Sequence, residues 1–315
     1  RGIEQGFASA ADEALGQIGA SGNVVQLNAN STLQGFLATG TFATDRVFRL
    51  NTATNAIAVS QGSTLTLNTP FTLSAGTNNL TKNDVGTLEL NASNGTAWTT
   101  GTMTVAQGVV KVSQVNALGQ TGGATMVQNT SALTGGVATN GGAALQLNAV
   151  ALDTLTLIEP LNLAGSGINS AGALQAIGGT NITTRIVSTS GTITMSGATT
   201  FGANAFTTLN LTSTLSGAQA LTFAGAGTVN LTSALPAIAS MTKTDSGTAH
   251  LTASSPLFIT PLTLHGGTLL LDSNGLISSP ADPLPPTTTL ANPGTTITLD
   301  NTLLTLPDRL GGSNR

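Results

Sequence analysis

Apolar and polar residues alternate with period two along most of this chain. Thr64-Leu65-Thr66-Leu67, Thr104-Val105, Thr154-Leu155-Thr156-Leu157, Thr192-Ile193-Thr194-Met195, Leu209-Asn210-Leu211, Leu262-Thr263-Leu264 and Ile297-Thr298-Leu299 each set an apolar face against Thr, Asn or Ser. Successive side chains of a strand point to opposite faces, so this pattern predicts half-buried β-strands, which β-branched residues favour. The strands are short, with Gly, Asn and Ser between them. Residues 1–20 read differently. Ser9 is placed to cap a helix, Asp12 and Glu13 fall in its first turn, and Leu15 and Ile18 form an apolar pair. A short helical cap is predicted there, covering the first core layer.

A diverged phrase recurs three times: Leu80–Leu90, Leu221–Leu231 and Met241–Leu251. In each an apolar residue opens the phrase, Gly follows six positions later (Gly86, Gly227, Gly247), and Thr comes next. Related Gly-led strands begin at Gly62, Gly86 and Gly108, and again at Gly247 and Gly267, in steps of about 20–24 residues. That step suits one coil of a parallel β-helix, whereas sandwich strands would be longer and would not repeat at it. At about 22 residues per coil the chain would hold about 13 coils, a rod on the order of 60 Å.

Residues 21–277 are therefore assigned to a β-solenoid. Residues 278–315 form a separate segment, because 278–296 hold five of the eleven prolines, including Pro280, Pro283, Pro285 and Pro286. Proline removes ladder donors, so this is a linker or extended arm. The strand beyond it, within 295–306, either returns to its own solenoid or pairs with a neighbouring molecule.

Composition narrows the function. Charged residues are only 7% of the 315, hydrophobic residues 40%, and the net charge is −4. The exterior must be neutral and hydroxylated, and no basic run provides a footprint for nucleic acid. The absence of cysteine excludes disulfides and thiolate metal sites. No apolar stretch is long enough for a spanning helix. Aromatics at 3%, without Tyr, do not supply the girdles of an outer-membrane barrel. The start at Arg1, with no Met and no signal-like segment, suggests a processed product or an excerpt of a longer secreted chain.

With the repeat established, the chain resembles the autotransporter-associated β-strand repeat proteins, also called passenger-associated transport repeats. Their phrase Leu-Thr-Lys-x-Gly-x-Gly-Thr-Leu-x-Leu, an Asn/Gly turn and a Gly-led strand correspond to Leu80–Leu90, Ser93-Asn94-Gly95 and Gly108–Val112. Thr44–Leu50 and Gly165–Leu174 resemble the family's lead-in segments. The resemblance covers most of 40–275. Asp84 and Asp245 replace the first Gly of the Gly-x-Gly pair, which predicts irregular turns there. The resemblance implies a secreted or surface-displayed right-handed β-helix in which the repeat is scaffold, and it carries over no catalytic or ligand residue.

Candidate chemistry is sparse. Lys82 and Lys243 share one repeat position with Phe223, which argues against a catalytic lysine and predicts a stem lying over the coil with its ammonium in water. His250 and His265 are strand residues or, if neighbours, metal ligands without a carboxylate cluster to complete the site. Asp45, Asp84 and Glu89 are the one carboxylate grouping that could mimic a polysaccharide-active β-helix site. Trp98 is either a corner-packing residue or a sugar-stacking platform.

No catalytic, cofactor or metal residue is assigned. The expected protein is a non-enzymatic, extracellular bacterial solenoid that polymerises head to tail through its ends and residues 278–315. The alternatives are a monomeric adhesin-like stalk with surface glycans as partners and, below that, a polysaccharide-active enzyme.

Overall fold

In the computed structural model the described residues are 3–6, 24–28, 31–36, 40–74, 76–96, 98–128, 133–134, 137–138, 142–149, 154–180, 185–252, 262–271, 297–299 and 302–305. They form an all-β solenoid of about nine turns. Its ladders are parallel throughout; one antiparallel hairpin, Leu133–Thr134 against Val137–Ala138, is inserted between coils.

The first ladder stacks Ile3–Gly6, Ser31–Phe36, Asn55–Val59, Leu80–Asn83, Thr102–Val105, Ala124–Val127 and Leu161–Gly165, then the start of the long strand Ile193–Ala203. The second stacks Gly40–Thr44, Ser63–Leu67, Thr87–Leu90, Gly108–Val112, Ala143–Asn148 and Leu174–Ile177. It continues through the end of Ile193–Ala203 to Ala220–Ala224, Ser240–Lys243, Leu262–Leu264 and Ile297–Leu299. The third stacks Thr154–Leu157, Arg185–Thr189, Thr207–Leu211, Thr228–Leu231, Thr248–Leu251, Gly267–Leu271 and Thr302–Thr305. A short sheet of Val25–Leu27, Phe48–Leu50 and Thr72–Leu73 belongs to the N-terminal coils.

Each predicted alternation is a strand, and inward positions stack into columns. The first ladder aligns Leu33, Ile57, Lys82, Val105, Val127, Leu163 and Met195. These columns merge into one buried apolar core running from Leu27 to Leu269. Burial of this kind contributes about 25 cal/mol per Å² of apolar surface and is what holds coils together.

Two expectations are corrected and one open alternative is decided. First, the predicted helical cap over 1–20 opens as a strand: Ile3–Gly6 pairs in parallel with Ser31–Phe36, giving the cap region a place in the first ladder. The Ser9–Ile18 stretch lies outside the described residues. Second, coil length is not constant. Neighbouring coils are offset by 23 residues near Glu89 and 20 near Asn230, but by 35 across the hairpin insertion and 29 in the following turn. The longer coils reduce the expected 13 turns to about nine. Of the two alternatives for the strand beyond the prolines, the return to its own solenoid is the one formed: Ile297–Leu299 and Thr302–Thr305 pair with Leu262–Leu264 and Gly267–Leu271 of the same chain. The proline-rich stretch itself lies outside the described residues.

The recurrent phrase turns out to encode a corner rather than a face. In Leu80–Leu90 it joins the first ladder to the second; in Leu221–Leu231 and Met241–Leu251 it joins the second to the third. Its Gly is required because corners stack directly. A Cβ on Gly86 would lie 2.2 Å from the Ser60 carbonyl oxygen, and one on Gly247 2.2 Å from that of Gly227; the Gly-led strand at Gly108 (φ 70°) is as tight, 2.4 Å from the Gly86 carbonyl oxygen. Asp84 and Asp245 do not make their turns irregular. Both hold the left-handed conformation (φ 65° and 58°) that Gly225 holds at φ 90° in the middle copy, and Asp tolerates it better than most side chains.

Candidate functional site

The corners contain the most unusual chemistry. Lys82 and Lys243 do not send their ammonium groups into water. They alternate in phase with Leu80 and Met241, so their stems point inward, and both are fully buried. Lys243 occupies the same core column as Phe201, Phe223 and Leu264. At the end of the stem the ammonium meets the carbonyls of the turn. Lys82 Nζ donates to the carbonyl oxygens of Asn83 (2.9 Å), Asp84 (2.6 Å) and Gln107 (3.2 Å), the last from the next coil. Lys243 Nζ donates likewise to Thr244, Asp245 (3.0 Å) and Gly266 (3.5 Å).

Burial lowers the Lys82 amine to about 7 and the Lys243 amine to about 8, against the opposing attraction of Asp84 and Asp245. The signal was present in the sequence. An exchange of Lys for Phe at one repeat position marks an inward site, because Phe has no reason to face water.

Glu159 is a second buried ionisable group. It follows the odd-numbered apolar run Leu155, Leu157, Leu161, Leu163 and shares its inward phase, which identifies it as a core position. Thr125 Oγ1 donates to its Oε1 at 3.1 Å, while Oε2 has no hydrogen-bond partner among the described residues. Burial raises its carboxyl to about 8. A carboxylic acid in this setting folds in as the neutral form.

The sequence-predicted candidates are not assembled into one site. Glu89 lies on the outward face of the second ladder, where Lys111 Nζ is 3.1 Å from Oε1, Ser113 donates to Oε1 at 2.7 Å and Thr66 to Oε2 at 3.1 Å. Burial opposes its ionisation, but these bonds and the Lys111 charge outweigh it and hold the carboxyl below its ordinary value. Asp45 accepts from Asn68, and Asp84 accepts from the Val85 N–H, so each carboxylate serves a separate structural bond. Trp98 is 1% exposed, donates Nε1 to the Asn78 carbonyl at 2.8 Å and meets Phe71 edge-on at 5.5 Å. It packs a coil and cannot stack on a sugar.

His250 sits in a third-ladder row between Asn230 and Leu270, whereas His265 is an exposed corner residue. His265, Asp245 and Ser246 line one corner cavity of about 620 Å³ with Thr244, Gly266 and Gly267. Nucleophilic catalysis needs a base within hydrogen-bond reach of the hydroxyl and a third group orienting it. Here no hydrogen bond joins the three side chains, and Asp245 Oδ2 accepts instead from the Gly225 N–H at 2.8 Å. Among the described residues no group of three His, Cys, Asp or Glu could hold a metal ion.

Another cavity is a groove of about 710 Å³ on the outward face of the first ladder. Thr32, Ala56, Thr81, Thr104 and Met126 form one stacked row along it. Thr54, Asn55, Asn79, Asn83 and Thr102 supply its remaining polar lining. None of the groove-lining residues is ionisable.

Comparison of the chain with protein-family models, with curated proteins and with solved structures finds no match.

Proposed function

We propose that this protein is a structural, non-enzymatic solenoid of a bacterial surface or extracellular space that assembles head to tail into a filament. What supports the reading most is the state of the terminal strands. Among the described residues, Ile3–Gly6 at one end, and Ile297–Leu299 and Thr302–Thr305 at the other, each pair on one side only. An unpaired strand edge is a template for another chain, and a parallel end-to-end contact that does not close generates an open polymer.

The ionisable side chains favour scaffold over catalyst, since Lys82 and Lys243 each bond their own turn and one carbonyl of the next coil, and Glu89 bonds Thr66 and Ser113 of the coils on either side. The resemblance to autotransporter-associated repeats and the neutral exterior favour the extracellular location. No helix among the described residues is long and apolar enough to cross a membrane.

Negative-stain micrographs of the purified chain, taken over a concentration series, test the assembly. The expected result is filaments one solenoid wide that lengthen with concentration. Dispersed single particles at the highest soluble concentration would refute assembly. Successive residues of a parallel strand direct their N–H groups to opposite sides, so proline at both Thr302 and Leu303 removes one outward donor and should shorten or abolish the filaments.

A further inference from the structure

We propose that the first-ladder groove is a binding site for a neutral glycan chain lying along the solenoid axis. The groove spans five stacked strands, from Ser31–Phe36 to Ala124–Val127. Four inter-strand spacings give it a length of about 19 Å, enough for several sugar rings. Its volume of about 710 Å³ is that of a ligand cleft. Ala56 is the smallest side chain of the central row, and Met126, the last member of that row, adds an adaptable apolar side chain to the lining.

The groove differs from other outward threonine rows in being concave, so its polar groups converge on one volume. Two of its amides are engaged in the wall itself: Asn55 Nδ2 donates to the Asn79 carbonyl at 2.8 Å, and Asn79 Oδ1 accepts the Thr102 N–H at 2.9 Å. In the groove, the hydroxyls of Thr81, Thr102 and Thr104 and the carboxamide of Asn83 make no hydrogen bond to the described protein. These groups both donate and accept, and they repeat at the strand spacing, as the hydroxyls of a polymer repeat along its length.

The chemistry selects the ligand class. A lining without charge gives no counter-ion for an acidic polysaccharide, a phosphate or a basic peptide. A neutral polyhydroxyl chain can exchange its water hydrogen bonds for this array without leaving a charge unpaired. With no aromatic platform in the groove, affinity comes from many weak contacts and is modest for a short oligosaccharide. The proposal does not depend on end-to-end assembly, because the groove lies on the side wall.

Calorimetric titration of the full chain with cellohexaose, maltohexaose and laminarihexaose, and with hexagalacturonate as the acidic comparison, tests it. Saturable binding of at least one neutral hexasaccharide is expected, with none of the acidic one. The double variant Thr81→Val/Thr104→Val keeps outward shape and strand preference while removing two hydroxyls, and should weaken binding about tenfold. Thr228→Val/Thr248→Val, on the third ladder, should leave it unchanged and shows that the substitution type itself is harmless. The proposal is overturned if no neutral hexasaccharide binds, if the acidic one binds as well, or if the groove variant binds like the parent.

Discussion

Glycine at the corners has a role that only stacking explains. A methyl group on Gly108 would sit within 2.5 Å of two carbonyl oxygens of the coil beneath, and the residue's φ of 70° penalises any L side chain as well. Gly108→Ala should therefore destabilise the fold by about 2–4 kcal/mol, measured as a lowered urea midpoint, whereas Gly76→Ala, with open space around its Cβ, should cost only about 1 kcal/mol. A similar loss for both would mean that backbone conformation, not coil contact, sets the requirement. The glycines were legible in the sequence as repeats; their reason was not, since the clashing atoms belong to a residue some twenty positions away. The lysines illustrate the reverse. A lysine stem can lie over a coil with its ammonium in water, yet the position two residues after Leu80 or Met241 turns these stems inward. Residue type is a weaker guide than register where the partners of a buried amine are backbone carbonyls, which leave no mark in the sequence.

Strands and corners are separate units of information at the level of the element. Alternation located the strands because period two is a local property. Which ladder a strand joins is not local, so the shift of the repeated phrase from one corner to the next could not be read from it. The turn around Asn94 shows how a non-regular element is fixed. Asn94 Oδ1 accepts the Phe71 N–H at 2.7 Å, and its Nδ2 donates to the Ala117 carbonyl at 2.6 Å, so one buried amide clamps three successive coils. Asn94→Ala leaves a buried N–H and a buried carbonyl unpaired and should cost about 2–4 kcal/mol. Asn94→Asp is worse in kind, since a carboxylate cannot donate to Ala117. Hydrogen exchange at Phe71 should accelerate in both variants while distant third-ladder amides such as Val229 stay protected. Uniform acceleration would show that the clamp has no local role. The groove was half legible: Thr and Asn stood at outward phase on Leu80–Asn83 and Thr102–Val105, but only the register sets them in one row.

At the scale of the whole molecule, three buried ionisable groups act on one continuous core, and their pH dependences have opposite signs. Glu159 is raised from 4.5 to about 8, so the folded state holds a proton that the unfolded state releases, and stability falls as pH rises between those values. Lys82 is lowered from 10.5 to about 7 and Lys243 from 10.5 to about 8; over those ranges the unfolded state holds the extra proton, and stability rises with pH. Each group contributes a slope of up to about 1.4 kcal/mol per pH unit within its window. The Glu159 penalty is complete above about 8 and the Lys82 penalty is complete below about 7, so both bear on the fold together near pH 7–8. Glu89 acts elsewhere: its carboxyl is held below 4.5, so its contribution is present above that value and lost only as pH falls through its lower, folded-state pKa. Urea unfolding between pH 5 and pH 10 should accordingly show a stability minimum near neutrality, with recovery on both sides. Glu159→Gln should remove the rise on the acid side and leave the alkaline rise intact; Lys82→Met should do the opposite, leaving only the smaller Lys243 contribution at high pH. A profile with a neutral maximum would mean that these side chains are charged and solvated in the folded state, and that the coils are held by the apolar columns and amide ladders without them.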